Sequence, residues 1–115
     1  MKATIVGKVA KIEGVSWCAI SSAEGFIHEV EGAPAIFLEA IGSLVPSILN
    51  TAGLLLSNIQ LGEPRIVTLN GADGILVVAT INDSYSIVCK TEKDANLGMV
   101  RKQMEVASEN LLPLL

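Results

Sequence analysis

Residues 40–61 read AIGSLVPSILNTAGLLLSNIQL, a run of 22 residues without a single charged side chain. An uncharged apolar run of this length is long enough to span a membrane. Its apolar residues recur at three- and four-residue spacing and share one helical face: Ile41, Val45, Ile48, Ala52, Leu55 and Ile59. Hydroxyl and amide side chains fall mostly on the other side: Ser43, Ser47, Asn50, Thr51, Ser57 and Asn58. A bilayer would leave these groups unsatisfied, and a solvated face usually carries Lys and Glu. The pattern therefore predicts a helix packed on its own sheet and covered by a partner.

Composition predicts one small soluble domain over residues 1–115. Half of the residues are hydrophobic but only 3% are aromatic, so the core is aliphatic and few rings exist for stacking on bases or sugars. The net charge of −4 gives no electrostatic support to nucleic-acid binding. Lys8 and Lys11 interrupt the apolar N-terminal segment, so it does not match a signal peptide. We expect a cytoplasmic protein without membrane insertion.

Periodicity and turn residues predict the element order helix, two strands, helix, three strands, helix. A first helix with Ile5, Val9 and Ile12 on one face closes at Gly14, and the last helix carries a narrow apolar stripe. The stripe comprises Leu97, Val100, Met104, Ala107 and Leu111, before Pro113. The predicted strands are 15–21, 26–30, 65–69, 75–81 and 85–90. The long helix begins near Pro34, and Pro46 should kink or split it.

Five short motifs occur in a characteristic order along this pattern. They are Gly14-Val15 before the first strand, the Glu24-Gly25 hairpin, the long apolar helix from Pro34, the Ala72-Asp73-Gly74 turn, and Asn96-Leu97-Gly98 opening the last helix. Through their order and spacing the chain resembles the roadblock (dynein light chain) domain family over essentially its whole length. Glu24-Gly25 departs mildly from the family, whose members often have Asp-Gly at that hairpin.

The resemblance implies an α+β fold of three layers, α/β/α, of the roadblock/profilin-like type. Its five-stranded antiparallel sheet has the order 2-1-5-4-3 and the topology α-β-β-α-β-β-β-α. The terminal helices lie on one face of that sheet and the long helix lies on the other.

Groups for catalysis are scarce. His28 is the single histidine, so no Ser/His/Asp or Cys/His pair has a spare partner and no multi-histidine metal site can form. Cys18 and Cys89 are expected to be buried structural thiols. Glu29 and Glu31 alternate along one strand, as an exposed acidic edge does, and residues 71–74 lack the lysine of a phosphate loop. We expect no enzyme activity, no cofactor and no metal.

Two functions remain open. The first is a homodimeric scaffold or regulator of a small Ras-like GTPase, which the family resemblance implies. The second is a small-molecule sensor with a cavity between sheet and helices, although such a pocket needs convergent polar groups. For the first, we expect an isologous interface formed by the long helix and the edge strand 65–69, because an unpaired edge strand favours association. Its predicted residues are Ser47, Asn50, Thr51, Leu54, Ser57, Asn58, Ile66 and Thr68.

Overall fold

The computed structural model describes residues 1–36 and 38–115; Phe37, inside the predicted long helix, lies outside the described residues. The elements in chain order are α1 (Lys2–Ala10), β1 (Val15–Ser22), β2 (Ile27–Gly32), α2 (Glu39–Gly42), α3 (Leu44–Asn58), β3 (Ile66–Asn70), β4 (Ile75–Thr80), β5 (Tyr85–Thr91) and α4 (Leu97–Leu111). The strands form one antiparallel sheet in the order β2-β1-β5-β4-β3. The fold class and strand order implied by the resemblance are confirmed.

Each face of the sheet has its own aliphatic core, because successive side chains of a strand point to opposite faces. On one face α1 and α4 pack over strand residues such as Ile20, Val77 and Ile87. On the other face Trp17, Val78 and Val88 pack with residues of the α2–α3 segment. The terminal helices therefore share one face and the long helical segment lies on the other, as expected.

Helix α4 matches its predicted stripe. Val100, Met104, Ala107 and Leu111 are buried against the sheet, and Leu97 packs beside them. The Asn96 side chain accepts a hydrogen bond from the Met99 N–H at 3.1 Å, which satisfies one of the free N–H groups of the first turn. The motif that opens this helix is thus an N-cap.

The predicted long helix is shorter than expected and is interrupted. It begins at Glu39 rather than near Pro34, and it divides at Ser43 into α2 and α3. Pro46 is the third residue of α3, and its ring is incompatible with the carbonyl of Gly42, four residues earlier. The break expected from this proline is confirmed, and it falls one turn before the proline itself.

A close backbone contact holds this break against the sheet. A methyl group on Gly42 would overlap the carbonyl oxygen of Gly25, which occupies the turn between β1 and β2 with φ +95°. Glycine at position 42 allows the helix to approach the hairpin this closely, and glycine at position 25 allows the positive φ of the turn. The hairpin motif therefore also positions the start of α3.

Helix α1 ends earlier than predicted. It ends at Ala10, and Gly14 takes φ +92° in the following turn rather than closing the helix directly. A side chain on Gly14 would collide with Ala95, so glycine also lets the turn before β1 pack against the turn before α4.

The segment Glu39–Asn58 is, by length and composition alone, long and apolar enough to cross a membrane, and 11% of its most apolar window is buried. The interruption at Ser43 and the contacts of Ile41, Val45 and Leu49 with the sheet make it part of the folded domain. Its remaining apolar surface is the main feature of the molecule that the fold leaves unexplained.

Candidate interaction surface

Helix α3 packs on the sheet only through its first half. Val45 is buried and Leu49 packs beside it. Beyond them the helix and the residues after it expose large aliphatic side chains: Leu54 is 68% exposed, Leu55 64%, Ile59 57% and Leu61 65%. Scattered apolar residues are normal on a surface, but a contiguous group of this kind marks an interaction site.

The stripe predicted to face the sheet is wrong at its C-terminal end. Leu55 and Ile59 belong to that stripe by spacing, yet both are exposed, whereas Leu49, outside the stripe, packs on the sheet. Apolar residues occur on nearly every side of α3, so the spacing alone did not define its buried side. The lack of charge along the segment is the feature that predicts a covering partner for the side away from the sheet.

The six predicted interface residues of α3 are all exposed: Ser47, Asn50, Thr51, Leu54, Ser57 and Asn58. The Asn58 side chain donates to the Leu54 carbonyl at 2.7 Å, so it is satisfied within the helix. Ile66 and Thr68 are half-buried on the edge strand β3. Their side chains lie on the α4 face, where Ile66 joins the core and the Thr68 hydroxyl accepts from Arg101 Nε at 3.3 Å.

The predicted residues thus occupy two faces of the sheet. At the exposed edge of the sheet, Ile66 and Thr68 present main-chain N–H and C=O groups rather than side chains. Hydrogen bonds join Thr80 N–H to the Arg65 carbonyl and Gly71 N–H to the Gly74 carbonyl, at 3.0 and 2.8 Å. Hydrogen-bonded pairs alternate along an antiparallel ladder, so residues 65, 67, 69 and 71 bond to β4. The N–H and C=O groups of residues 66, 68 and 70 consequently point outward from the sheet.

The two edges of the sheet differ. Strand β2 has a register irregularity opposite β1, places Glu29 at φ +48° and Gly32 at φ +99°, and carries Glu29 and Glu31. Bulges and charges of this kind discourage pairing with another strand. Strand β3 is regular and has no charged residue from Ile66 to Asn70. The edge open to pairing is therefore the β3 edge.

A surface cavity of about 810 Å³ lies between the second half of α3 and the end of the sheet beside β3. Its lining mixes aliphatic residues such as Leu49 and Leu54 with polar groups that include Asn50, Ser57 and Asp83. The sequence pattern indicated an almost uniformly aliphatic interior, and the polar lining arises because this cavity opens at the surface.

The remaining residues considered for catalysis or metal binding are the histidine, the two cysteines and the carboxylates. The His28 ring packs edge-on against Tyr85, with 6.4 Å between ring centroids. Cys18 and Cys89 are free and buried, as expected. Within residues 1–36 and 38–115, no group of three His, Cys, Asp or Glu side chains lies close enough together to hold a metal ion.

Comparisons with known proteins identify the fold. No protein-family model matches the sequence, and no curated protein matches it. Among solved structures, MglB of Myxococcus xanthus superimposes with a TM-score of 0.89 at 18% identity, over 98% of this chain and 93% of that one. The Roadblock/LC7 domain from Streptomyces avermitilis gives 0.87 at 12% identity, over 97% and 95%. The chain has a roadblock-type fold.

The roadblock-type fold extends in weaker form to profilin. Profilin IA of Acanthamoeba castellanii gives a TM-score of 0.67 at 15% identity, over 99% of this chain and 98% of that one. At these identities the likeness concerns the fold alone.

Proposed function

We propose that this protein is a non-catalytic, homodimeric interaction module that regulates or scaffolds a small Ras-like GTPase. The observation that carries the proposal is that the exposed aliphatic half of α3 lies beside Pro64, just before the unpaired, regular edge strand β3. Both features need a partner, and a second copy of the chain supplies one for both at once.

Antiparallel pairing of β3 with its twofold copy would satisfy the outward main-chain groups of residues 66, 68 and 70. Residues directly opposite each other in such a pair project to the same face of the sheet. The two α3 helices would therefore lie on the same face of a continuous ten-stranded sheet. Fully burying an exposed Leu or Ile contributes about 1.5–3 kcal/mol, so Leu54, Leu55 and Ile59 together support a stable dimer.

Association is tested by sedimentation of the purified protein at micromolar concentration. We expect a dimer for the wild type and a folded monomer for Leu54→Glu, because a charge buried at the contact would have no partner. The matched control is Met99→Glu on α4, since Met99 is also exposed and apolar but lies on the other face of the sheet. A monomeric wild type, or dimerisation unchanged by Leu54→Glu, contradicts the proposal.

The GTPase partner is supported by the resemblance to the roadblock family and by the lack of catalytic groups. An arginine finger requires a guanidinium on a mobile exposed loop. Of the two arginines, Arg65 directly precedes β3 and Arg101 lies on α4 bonded to Thr68. An effect on hydrolysis would therefore come from holding the switch segments of the GTPase in one conformation.

Titration with the cognate GTPase in its GDP and GTP-analogue forms tests this step. A regulator must bind one nucleotide state more tightly, because equal affinity for both states shifts no equilibrium. Equal binding would make the protein a passive scaffold. Absence of binding to every small GTPase of the host would contradict the proposed partner.

A sensor function is the second candidate, and the 810 Å³ cavity with its polar lining favours it. A small molecule retained there would add a defined mass in native mass spectrometry. The same experiment reports the oligomeric state, so it separates a ligand-filled cavity from one covered by a second copy. We also propose that the protein is soluble and cytoplasmic, so its preparation should need no detergent.

A further inference from the structure

An unpaired cation stands at the open edge of the sheet. The Arg101 side chain extends from α4 to β3, where its Nε donates to the Thr68 hydroxyl at 3.3 Å. Arg101 is exposed, and the one ion pair among the described residues joins Lys90 to Glu92 instead. The guanidinium therefore lies beside the outward main-chain groups of Thr68 with its remaining donors available.

An unpaired carboxylate stands further along the same edge. Glu105, one helical turn after Arg101, borders a small hollow of about 140 Å³ together with Arg65 and Ile66. Glu105 is exposed and forms no ion pair within residues 1–36 and 38–115. Because α4 runs antiparallel to β3 at this edge, Arg101 is level with Thr68 and Glu105 is level with Ile66.

A twofold axis makes these two positions complementary. If the axis passes through Val67, Thr68 of one chain lies opposite Ile66 of the other, and both have outward main-chain groups. Arg101 is then level with the partner's Glu105, and symmetry forms the same contact twice. If the axis passed through Thr68, the two Thr68 residues, each with a guanidinium on its hydroxyl, would face each other on strands about 5 Å apart, and like charges would meet.

We infer that Arg101 pairs with the partner's Glu105 across the twofold axis, and that this pairing places the axis at Val67 of β3. The inference rests on the proposed homodimer and specifies its register. Arg101 and Glu105 thereby select one of the pairings that the featureless strand Ile66–Asn70 would otherwise allow.

Charge reversal in separate chains tests the pairing. Arg101→Glu and Glu105→Arg should each weaken self-association by about tenfold in low salt, because like charges then meet at both symmetric contacts. An equimolar mixture should associate as the wild type does, since the heterodimer restores both contacts. An ion pair within one chain would remain broken in that mixture, so the experiment separates the two cases.

The matched control uses Lys102→Glu and Gln103→Lys on the same helix, because both side chains are exposed and neither borders the hollow at the β3 edge. These two variants should leave self-association unchanged, alone and mixed. If the mixture of the Arg101 and Glu105 variants associates no more tightly than each variant alone, the inferred pairing is overturned, but the proposed homodimer is not.

Cross-linking through one introduced cysteine per chain measures the register itself, because the native Cys18 and Cys89 are buried. With the axis at Val67, Val67→Cys meets its copy at about 4.5 Å between Cα atoms, within the range of a disulfide. Thr68→Cys would then lie about 8 Å from its copy and Leu69→Cys about 14 Å from its copy, both beyond that range. Under mild oxidation we expect a covalent dimer from Val67→Cys alone, and none from the wild type.

Preferential cross-linking of Thr68→Cys or Leu69→Cys would overturn the inferred axis. A dimer by sedimentation in which none of the three variants cross-links would also overturn the inferred axis, because β3 would then pair in another register or not at all. A monomeric wild type would instead refute the proposed homodimer, so the two failures are distinguishable.

Discussion

At the scale of single residues, Cys18 is the group most affected by its surroundings. It lies directly opposite Cys89 across β1 and β5, and both side chains are completely buried. Hydrogen bonding with the Cys89 thiol and then burial raise the pKa of Cys18 well above its ordinary value. A thiol that stays protonated is a poor nucleophile, so this cysteine has a structural role.

This pKa shift predicts a loss of stability in alkaline solution. The unfolded thiol loses its proton above about pH 8.5, whereas folded Cys18 retains it, so the unfolded state binds fewer protons. The free energy of unfolding should fall from that pH upward by about 1.4 kcal/mol per pH unit, until the folded thiol also ionises. Denaturant unfolding between pH 8 and 10 should show a shallower fall for Cys18→Ala. If the free energy of unfolding falls equally with pH in the wild type and in Cys18→Ala, the raised pKa of Cys18 is excluded.

Two glycines of the helical segment should respond oppositely to alanine. A methyl at Gly42 would overlap the Gly25 carbonyl, so Gly42→Ala should destabilise by about 1–3 kcal/mol. At Gly53, within α3, a methyl would meet the Pro64 ring at an ordinary 3.7 Å. Gly53→Ala should therefore stabilise by about 0.5–1 kcal/mol through helix propensity. Urea unfolding at one protein concentration measures the stability of both variants. An equal change in stability for Gly42→Ala and Gly53→Ala would argue against the close contact between Gly42 and Gly25.

At the scale of elements, β3 combines two different main-chain roles in five residues. Val67 and Leu69 bond to β4, whereas Ile66, Thr68 and Asn70 present their N–H and C=O groups outward. The intact sheet needs the first set, and association with a second strand needs the second set. A substitution that removes one N–H can therefore separate folding from association.

Proline provides that substitution. Thr68→Pro removes an outward N–H, which an edge strand tolerates, so the chain should fold but should no longer dimerise. Val67→Pro removes a hydrogen bond to β4 and should lower the denaturation midpoint instead. Circular dichroism reports the folding of each variant and sedimentation reports its association. Dimerisation of Thr68→Pro at wild-type affinity would rule out pairing through β3.

At the scale of the whole molecule, the two sides of the sheet are covered unequally. Helices α1 and α4 bury one face around Met104 and Leu111, whereas α3 covers the other only around Val45. The exposed half of α3 and the β3 edge meet at one side of the molecule. In the proposed dimer, part of the hydrophobic core is therefore formed between chains, and folding and association are linked.

That linkage predicts a melting temperature that depends on protein concentration. Only the folded chain dimerises, so mass action raises the melting temperature by about 3 °C for each tenfold increase in concentration. Leu54→Glu should melt at the same temperature at every concentration. Scanning calorimetry from 5 to about 500 μM measures both. A wild type whose melting temperature stays constant would speak against a dimer that contributes to stability.

Local pattern determined most of the architecture. The α4 stripe, the break associated with Pro46, the turn residues and the types of the eight predicted elements follow from periodicity and backbone chemistry, which act between neighbours in the chain. The strand order followed from the family resemblance, because pairing between distant strands leaves little trace in either strand alone. The uncharged character of residues 40–61 also pointed to α3 as the element with an exposed apolar surface.

Only the tertiary structure decided which side of α3 is buried, which edge of the sheet is open, and where Arg101 lies. Apolar residues surround α3, so its contact with the sheet at Val45 and Leu49, rather than its spacing, selects the buried side. The outward main-chain groups of β3 depend on its register with β4. Arg101 reaches Thr68 because α4, 33 residues distant along the chain, packs beside that strand. These are long-range contacts, and a one-dimensional pattern records the preferences of residues rather than the neighbours that folding brings to them.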